Sequence, residues 1–219
     1  MWFFHCAHVD IRKCVVNTTK ADGYHFGQGS TNCRAIGNVA INVADYAFAT
    51  TYYSSWNRPA DISFIGNHVE GSVWGFGLAA YSADRVTTQG NTVSNVALGG
   101  CIITTHNGGG VCKNVQVQGN NFSGSNRTSI VPNNYLEGAA DERVVSPLHK
   151  SCVVLQGDVV YAMSNKIASV GLLPFGGDAR QGIMFAGGSR IGAVGNMLSY
   201  VDGNGIDLGT VGLTERPTL

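Results

Sequence analysis

One asparagine recurs along this 219-residue chain, usually directly after a glycine. Its positions are Asn38, Asn67, Asn91, Asn120, Asn165 and Asn196, so the intervals are 29, 24, 29, 45 and 31 residues. Internal repeats of roughly 20 to 50 residues indicate solenoids or propellers, in which each repeat buries its apolar face against the next. Asn17 is predicted to be an earlier member of the series. The short amide tolerates the left-handed backbone that a sharp bend needs, so we expect the asparagine to occupy that conformation.

Apolar residues keep fixed offsets from these asparagines. Alternation with a period of two on both sides of a bend predicts strand, bend and strand in each repeat. Polar residues between the apolar ones, such as Arg34, Ser63 and Thr87, are expected to face solvent. Five residues before the asparagine come Cys33, Ile62, Val86, Val115, Val160 and Ile191; three before come Ala35, Phe64, Thr88, Val117, Ala162 and Ala193; two after come Ala40, Val69, Val93, Phe122, Ile167 and Leu198.

A second family of strands begins near glycines, as in Gly100-Cys101-Ile102-Ile103 and Gly182-Ile183-Met184-Phe185. Two strand families per repeat predict an all-β fold: a right-handed, single-stranded parallel β-helix of about seven coils. We expect residues 1–219 to form one such domain within a longer chain, because neither end has the cap that terminal repeats need. The alternative is a β-sandwich whose asparagine spacing is fortuitous.

Composition limits the partners. The formal net charge is zero, with 14 basic and 14 acidic residues, so no excess of positive charge favours nucleic acid. No apolar stretch is long enough for membrane insertion, and Met1–His5 is not a signal peptide. The six cysteines are predicted to be buried free thiols, with disulfides as the alternative. No zinc-type spacing occurs, and neither a metal nor a cofactor is expected.

The longest interval between asparagines contains an inserted loop, 123–150, that is enriched in charge. Glu137 and Arg143 lie there and are candidates for catalysis and for substrate binding. Long loops on rigid scaffolds often carry function, but this one can equally pack on a neighbouring subunit. In a shorter excursion, Trp56 and Arg58 can form a shelf on which a sugar ring stacks, or Trp56 can be a packing residue.

A second candidate cluster comes from counting outward positions on successive coils. This places Tyr81 and His106 in one column and Asn107 beside Asp158 in the next. Asp158 and His106 are the predicted catalytic pair, because a carboxylate can orient an imidazole for acid–base chemistry. Tyr81 and Asn107 are predicted to bind substrate. The alternative is a hydrogen-bonded network that only stabilises turns.

Other charged residues are predicted to have simpler roles. Asp61 and Arg85 share a column on adjacent coils and are expected to form a weak structural ion pair. His25 and Asp207 are expected to face outward in isolation.

The repeat pattern, as in Ile62-Ser63-Phe64-Ile65-Gly66-Asn67, resembles the pectate-lyase-like superfamily of right-handed parallel β-helices. The catalytic signatures of polygalacturonases are absent, with Arg190-Ile191-Gly192 as the nearest trace, and so are the paired aspartates of calcium-dependent pectate lyases. Low charge and irregular coil lengths make the chain most similar to bacteriophage tailspikes and related polysaccharide depolymerases.

This resemblance implies a homotrimer on a virion or in the extracellular space that binds bacterial surface polysaccharide and cleaves it as a hydrolase or lyase. The alternative function is a non-catalytic adhesion, receptor-binding or structural module.

Overall fold

The computed structural model describes residues 1–53, 57–72, 75–105, 110–124, 151–170, 181–201 and 204–208. Regular structure in these segments is β-strand, and none of them forms a long apolar helix of the kind that spans a bilayer. The strands are β1 (Trp2–Phe4), β2 (Asp10–Arg12), β3 (Val15–Thr19), β4 (Tyr24–Gly27), β5 (Thr31–Ile36), β6 (Val39–Val43), β7 (Phe48–Thr51), β8 (Ala60–Ile65), β9 (His68–Ser72), β10 (Leu78–Tyr81), β11 (Asp84–Gln89), β12 (Thr92–Val96), β13 (Cys101–Thr104), β14 (Cys112–Gln118), β15 (Asn121–Ser123), β16 (Ser151–Met163), β17 (Lys166–Val170), β18 (Gln181–Val194), β19 (Met197–Val201) and β20 (Ile206–Asp207).

Each coil contributes strands to three faces, and every strand pairs in parallel with its counterpart on the next coil. The first face begins β1, β4, β7, the second face β2, β5, β8, and the third face β3, β6, β9. The third face is a 7-stranded sheet with one strand per coil. In the sixth and seventh coils, a single long strand, β16 or β18, runs through both the first and the second face without a break. These two strands join the first and second faces into one 13-stranded sheet. The predicted parallel β-helix is confirmed.

The interior is filled by the predicted apolar columns. Cys33, Ile62 and Val86 are fully buried along the second face, and Val69 and Val93 along the third. Because the coils are in register, like side chains stack on one another, and the Tyr24 and Phe48 rings lie 4.7 Å apart and nearly parallel. One continuous apolar column therefore holds the coils together.

The asparagines form a buried hydrogen-bonded ladder at the bend between the second and third faces. The Asn67 amide donates to the Asn91 side-chain oxygen at 3.0 Å, and the Asn91 amide donates to Asn120 at 2.8 Å. From Asn38 to Asn165, the backbone N–H of each ladder asparagine donates to the same side-chain oxygen of the next one, as Asn67 does to Asn91 at 2.9 Å. The ladder runs from Asn38 to Asn196.

Two predictions about this ladder are wrong. Cys14, not Asn17, occupies the first-coil position, because Val15 pairs with Val39 and the Cys14 N–H donates to the Asn38 side chain. The left-handed residue is the one before the asparagine, usually a glycine such as Gly66 with φ of 60°. Glycine adopts this conformation without strain, which leaves the asparagine free to bridge coils.

The outer side of the first face is also covered. Ala49, Phe76, Ala79, Ile102 and Val154 form a second apolar cluster there, and each is at most 1% exposed. The outer side of the second face, in contrast, carries an open polar row, described below.

All six cysteines are free, and Cys33, Cys101, Cys112 and Cys152 are buried. Burial raises the pKa of the Cys112 thiol to about 11 and also raises that of Cys101. These four agree with the expectation of buried thiols that act as small apolar groups, whereas Cys6 and Cys14 are only partly buried, contrary to prediction.

Candidate functional site

A crease runs along the second face because one residue in each coil adopts a left-handed backbone. The φ angles are 59° at His8, 54° at Asn32, 57° at Asp61, 53° at Arg85 and 55° at Asn114. The strand register skips these residues, since the residues on either side of Asp61 and Arg85 pair with one another. An extra left-handed residue of this kind bends a strand, and bends stacked coil on coil make a continuous crease.

The left-handed residue of each coil and the residue two positions after it line an open groove of about 720 Å³. We call it the second-face groove. It is a grid of two side chains per coil over the first five coils. Its lining residues are His8, Asp10, Asn32, Arg34, Asp61, Ser63, Arg85, Thr87, Asn114 and Gln116.

Two ion pairs span neighbouring coils in this groove. Arg34 donates from Nε and Nη2 to the two carboxylate oxygens of Asp10, at 2.7 and 2.8 Å. Arg85 binds Asp61 in the same bidentate way at 2.7 and 2.8 Å, which confirms the predicted pair. Arg34, and then Arg12, lower the pKa of Asp10, and Arg85 lowers that of Asp61. The carboxylates therefore stay ionised and act as hydrogen-bond acceptors.

Asp158 lies beyond the groove, on the sixth coil. It accepts hydrogen bonds from the Ser189 hydroxyl and from Arg190 at 3.2 Å. Ser189, followed by Arg190, lowers the pKa of Asp158, and Lys113 adds to the effect. This side chain is 31% exposed. An ionised carboxylate in this position can serve as a base or nucleophile, but it is a poor proton donor.

The predicted columns around Asp158 have the wrong register. Tyr81 pairs with Thr104, and Asp158 pairs with Lys113. The loops between the first and second faces differ in length: residues 82–83 connect β10 to β11, residues 105–111 connect β13 to β14, and β16 has no loop at all. Equal counting from the first-face strands therefore misaligns the coils. Tyr81 is 8% exposed and donates its hydroxyl hydrogen to Tyr46 at 2.7 Å.

The other predicted site residues divide between described and undescribed parts of the chain. Arg58 donates to Asp84 at 2.8 Å and to the Val111 carbonyl at 2.6 Å, so it bridges two coils beside the groove. His106, Asn107, Glu137, Arg143 and Trp56 lie outside the described residues. Of the insertion 123–150, residues 123 and 124 are described.

His25 is not isolated and does not face solvent, contrary to prediction. It is 2% exposed, and its Nδ1 lies 2.5 Å from the Asp22 carboxylate. Rings of Trp2, Phe4 and Tyr53 surround the imidazole, with centroids 5.4 to 6.2 Å away. The sequence signal was an aspartate three residues before a histidine at the start of a strand, which is too common a pattern to single out.

No group of three or more His, Cys, Asp or Glu side chains within the described segments is placed to hold a metal ion. The groove itself is lined by hydrogen-bonding groups of three kinds. Carboxylate oxygens accept, guanidinium groups donate, and the hydroxyl and amide side chains do both.

Comparison with known proteins supports the fold. No protein-family model and no curated protein sequence matches the chain. Among solved structures, it is similar to the catalytic unit of a thermostable GH87 alpha-1,3-glucanase from Streptomyces thermodiastaticus strain HF3-3, with a TM-score of 0.58, 13% identity and coverage of 100% of this chain and 44% of that one. A second match is the A-module of the Azotobacter vinelandii mannuronan C-5 epimerase AlgE6, with a TM-score of 0.47, 14% identity and coverage of 97% and 58%. The chain thus spans about half the length of these structures, and the glucanase likeness agrees with the parallel β-helix.

Proposed function

We propose that this β-helix recognises a bacterial surface polysaccharide through the second-face groove. The observation that carries the proposal is the grid of ten polar side chains, two per coil over five coils. Four rung spacings give the groove a length of about 19 Å. An extended glycan can lie across successive coils and find donors and acceptors at each one.

The chemistry of the lining suits sugars. A sugar hydroxyl both donates and accepts, and the groove offers ionised acceptors beside fixed guanidinium donors together with uncharged groups such as Ser63, Thr87 and Gln116. Bidentate pairing holds the arginines in place before a ligand arrives, which lowers the entropic cost of binding. The protein with a similar fold is an alpha-1,3-glucanase, which acts on a polysaccharide, and this supports the same class of ligand here.

A substitution that fills the groove tests this proposal. Ser63 lies in the middle coil and faces outward, so Ser63→Trp is expected to block the groove without entering the core. Thr92→Trp, at an outward position on the third face, is the matched control. In a bacterial glycan array, the wild type and Thr92→Trp are expected to bind the same glycan and Ser63→Trp to lose it. Equal binding by all three proteins contradicts the groove assignment.

Cleavage is a second candidate function, and the ionised Asp158 one coil beyond the groove favours it. In this proposal Asp158 is the base or nucleophile, and His106 or Glu137 supplies the proton that Asp158 cannot. Asn107, Trp56, Arg58 and Arg143 bind the substrate around them, and Tyr81, which is nearly buried and bonded to Tyr46, does not.

Product analysis separates cleavage from recognition. Release of reducing ends, or of products that absorb as unsaturated sugars, supports cleavage if Asp158→Asn abolishes it. Binding without any product supports the adhesion or receptor-binding alternative. Turnover that Asp158→Asn leaves unchanged contradicts the assignment of Asp158.

The wider setting rests on the resemblance to tailspikes. We propose a homotrimer exposed on a virion or in the extracellular space, in which this segment is one part of a longer chain. Sedimentation velocity of the purified protein tests the trimer, and a monomer at micromolar concentration contradicts it.

A further inference from the structure

We propose that the polysaccharide bound by the second-face groove is uncharged. This inference rests on the proposed function and adds the substrate class. Bacterial surface polysaccharides can be neutral or acidic, and the two kinds make opposite demands on a groove. An acidic chain needs cations that are available to it, whereas a neutral chain needs donors and acceptors without net charge.

The carboxylates and guanidinium groups of the groove cancel in pairs. They belong to Asp10, Arg34, Asp61 and Arg85, and each aspartate lies against the arginine of the following coil. Each contact uses Nε and Nη2 of the arginine and both carboxylate oxygens. This edge, one of the two through which a guanidinium binds a carboxylate in bidentate fashion, is therefore already occupied in both arginines.

A uronic acid carboxylate would meet like charge at each arginine. To approach Arg85 it must come close to Asp61, and to approach Arg34 it must come close to Asp10. Like charges brought together at an interface cost binding energy, and they select against the wrong partner. Arg12 lies outside the lining and adds one further guanidinium 2.9 Å from Asp10, at the first-coil end of the groove. In the middle coils, where Asp61 pairs with Arg85, the arrangement excludes acidic chains more than it attracts them.

The rest of the grid is rich in uncharged donors and acceptors. Asn32, Ser63, Thr87, Asn114 and Gln116 alternate with the ion pairs along the five coils. Amides and hydroxyls match the hydroxyl groups of neutral sugars in both directions of hydrogen bonding. On the sixth coil the corresponding positions are Val159 and Tyr161, so the polar grid ends there.

The test compares neutral and acidic glycans at two salt concentrations. Calorimetric titration uses oligosaccharides of α-1,3-glucan, dextran and mannan against polygalacturonate, alginate and hyaluronate. The wild type is expected to bind a neutral glycan roughly tenfold or more tightly than any acidic one. Its affinity is expected to change little with added salt, because screening acts on net charges.

A charge variant provides the second arm. Asp61→Asn removes the partner of Arg85 and leaves the groove with an available cation. This variant is expected to gain binding to polygalacturonate, and the gain is expected to disappear at high salt. Asp207→Asn, which removes one carboxylate from β20 outside the groove, is the matched control and is expected to gain nothing. Thermal melting of both variants shows that they are folded.

The outcomes are distinguishable. A wild type that prefers an acidic glycan in a salt-sensitive way overturns this inference and leaves the proposed function standing. The inference is also overturned if Asp61→Asn gains no more acidic binding than Asp207→Asn. Failure to bind any glycan in an array of bacterial polysaccharides overturns the proposed function and this inference with it.

Discussion

Replacement of Asn91 by alanine is expected to weaken the fold more than any surface change of the same size. The side chain lies in the middle of the ladder and is 1% exposed. Its oxygen accepts from the Asn67 backbone N–H at 2.9 Å and from the Asn67 amide at 3.0 Å. Its nitrogen donates to the Phe64 carbonyl at 2.9 Å and to the Asn120 oxygen at 2.8 Å.

Asn91→Ala deletes these four hydrogen bonds at once. At about 1 kcal/mol each, the expected loss in the free energy of unfolding is about 4 kcal/mol. The buried N–H of Asn67 and carbonyl of Phe64 lose partners, which sets this site apart from an exposed one. Collapse of the neighbouring coils onto the alanine can recover part of the loss.

Asn17→Ala is the matched control, because it makes the same chemical change outside the ladder. Asn17 is exposed, and its side-chain oxygen accepts from the Thr18 hydroxyl at 3.0 Å. Its expected effect is within about 0.5 kcal/mol. Unfolding in guanidinium chloride, followed by circular dichroism, measures both variants. An Asn91→Ala protein as stable as Asn17→Ala refutes the reasoning.

Three further results are expected. Because Arg85 lowers the pKa of Asp61, the ion pair between them is fully present above about pH 4 and is lost as the pH falls below that value. The pair is exposed, so the wild type should be more stable than Asp61→Asn by at most about 1 kcal/mol at neutral pH. Denaturation measured at a series of acidic pH values should show the two proteins becoming equally stable below that pH. A thiol reagent should label the partly exposed Cys6 and Cys14 in the native protein well before the four buried cysteines, and mass spectrometry of the labelled peptides would show this order. Gly100→Ala would place a methyl group 2.3 Å from the Phe122 ring, so thermal and chemical melts should show a loss of about 1 to 3 kcal/mol.

The fold was predictable because its main determinant repeats in the sequence. Most coils have an asparagine at the same bend and apolar residues at the same offsets from it. The same residue types at the same spacing therefore identify each repeat. Asn17 was misplaced because the first coil uses Cys14, whose backbone N–H completes the ladder without an amide side chain. Only the register of the neighbouring strand, with Val15 against Val39, reveals this substitution.

The groove was less predictable, since its crease depends on backbone conformation. His8, Asn32, Asp61 and Arg85 share a left-handed φ but no common side chain. The first three are residue types that adopt this conformation more often than most, but Arg85 is not, and the same types are common elsewhere in the chain. The ion pair between Asp61 and Arg85 was predictable because both residues lie six positions before their ladder asparagines, which places them on the same column of adjacent coils.

Loop lengths limited the prediction of the catalytic cluster. Asp158 was aligned by counting from the first face, but the residues between the first and second faces vary from coil to coil. A miscount of a few residues moves a side chain to another column. The asparagine ladder lies at the bend after the second face, so every coil has a fixed reference residue there. Offsets counted from the ladder are therefore reliable, and those counted from the first face are not.

The most direct test of the account is a crystal structure of the protein with the neutral oligosaccharide that binds best. Sugar density is expected along the second-face groove across the first five coils, with hydroxyl groups hydrogen-bonded to Ser63 and to the Asp61–Arg85 pair. Sugar density on the first or third face, with an empty groove, would contradict it.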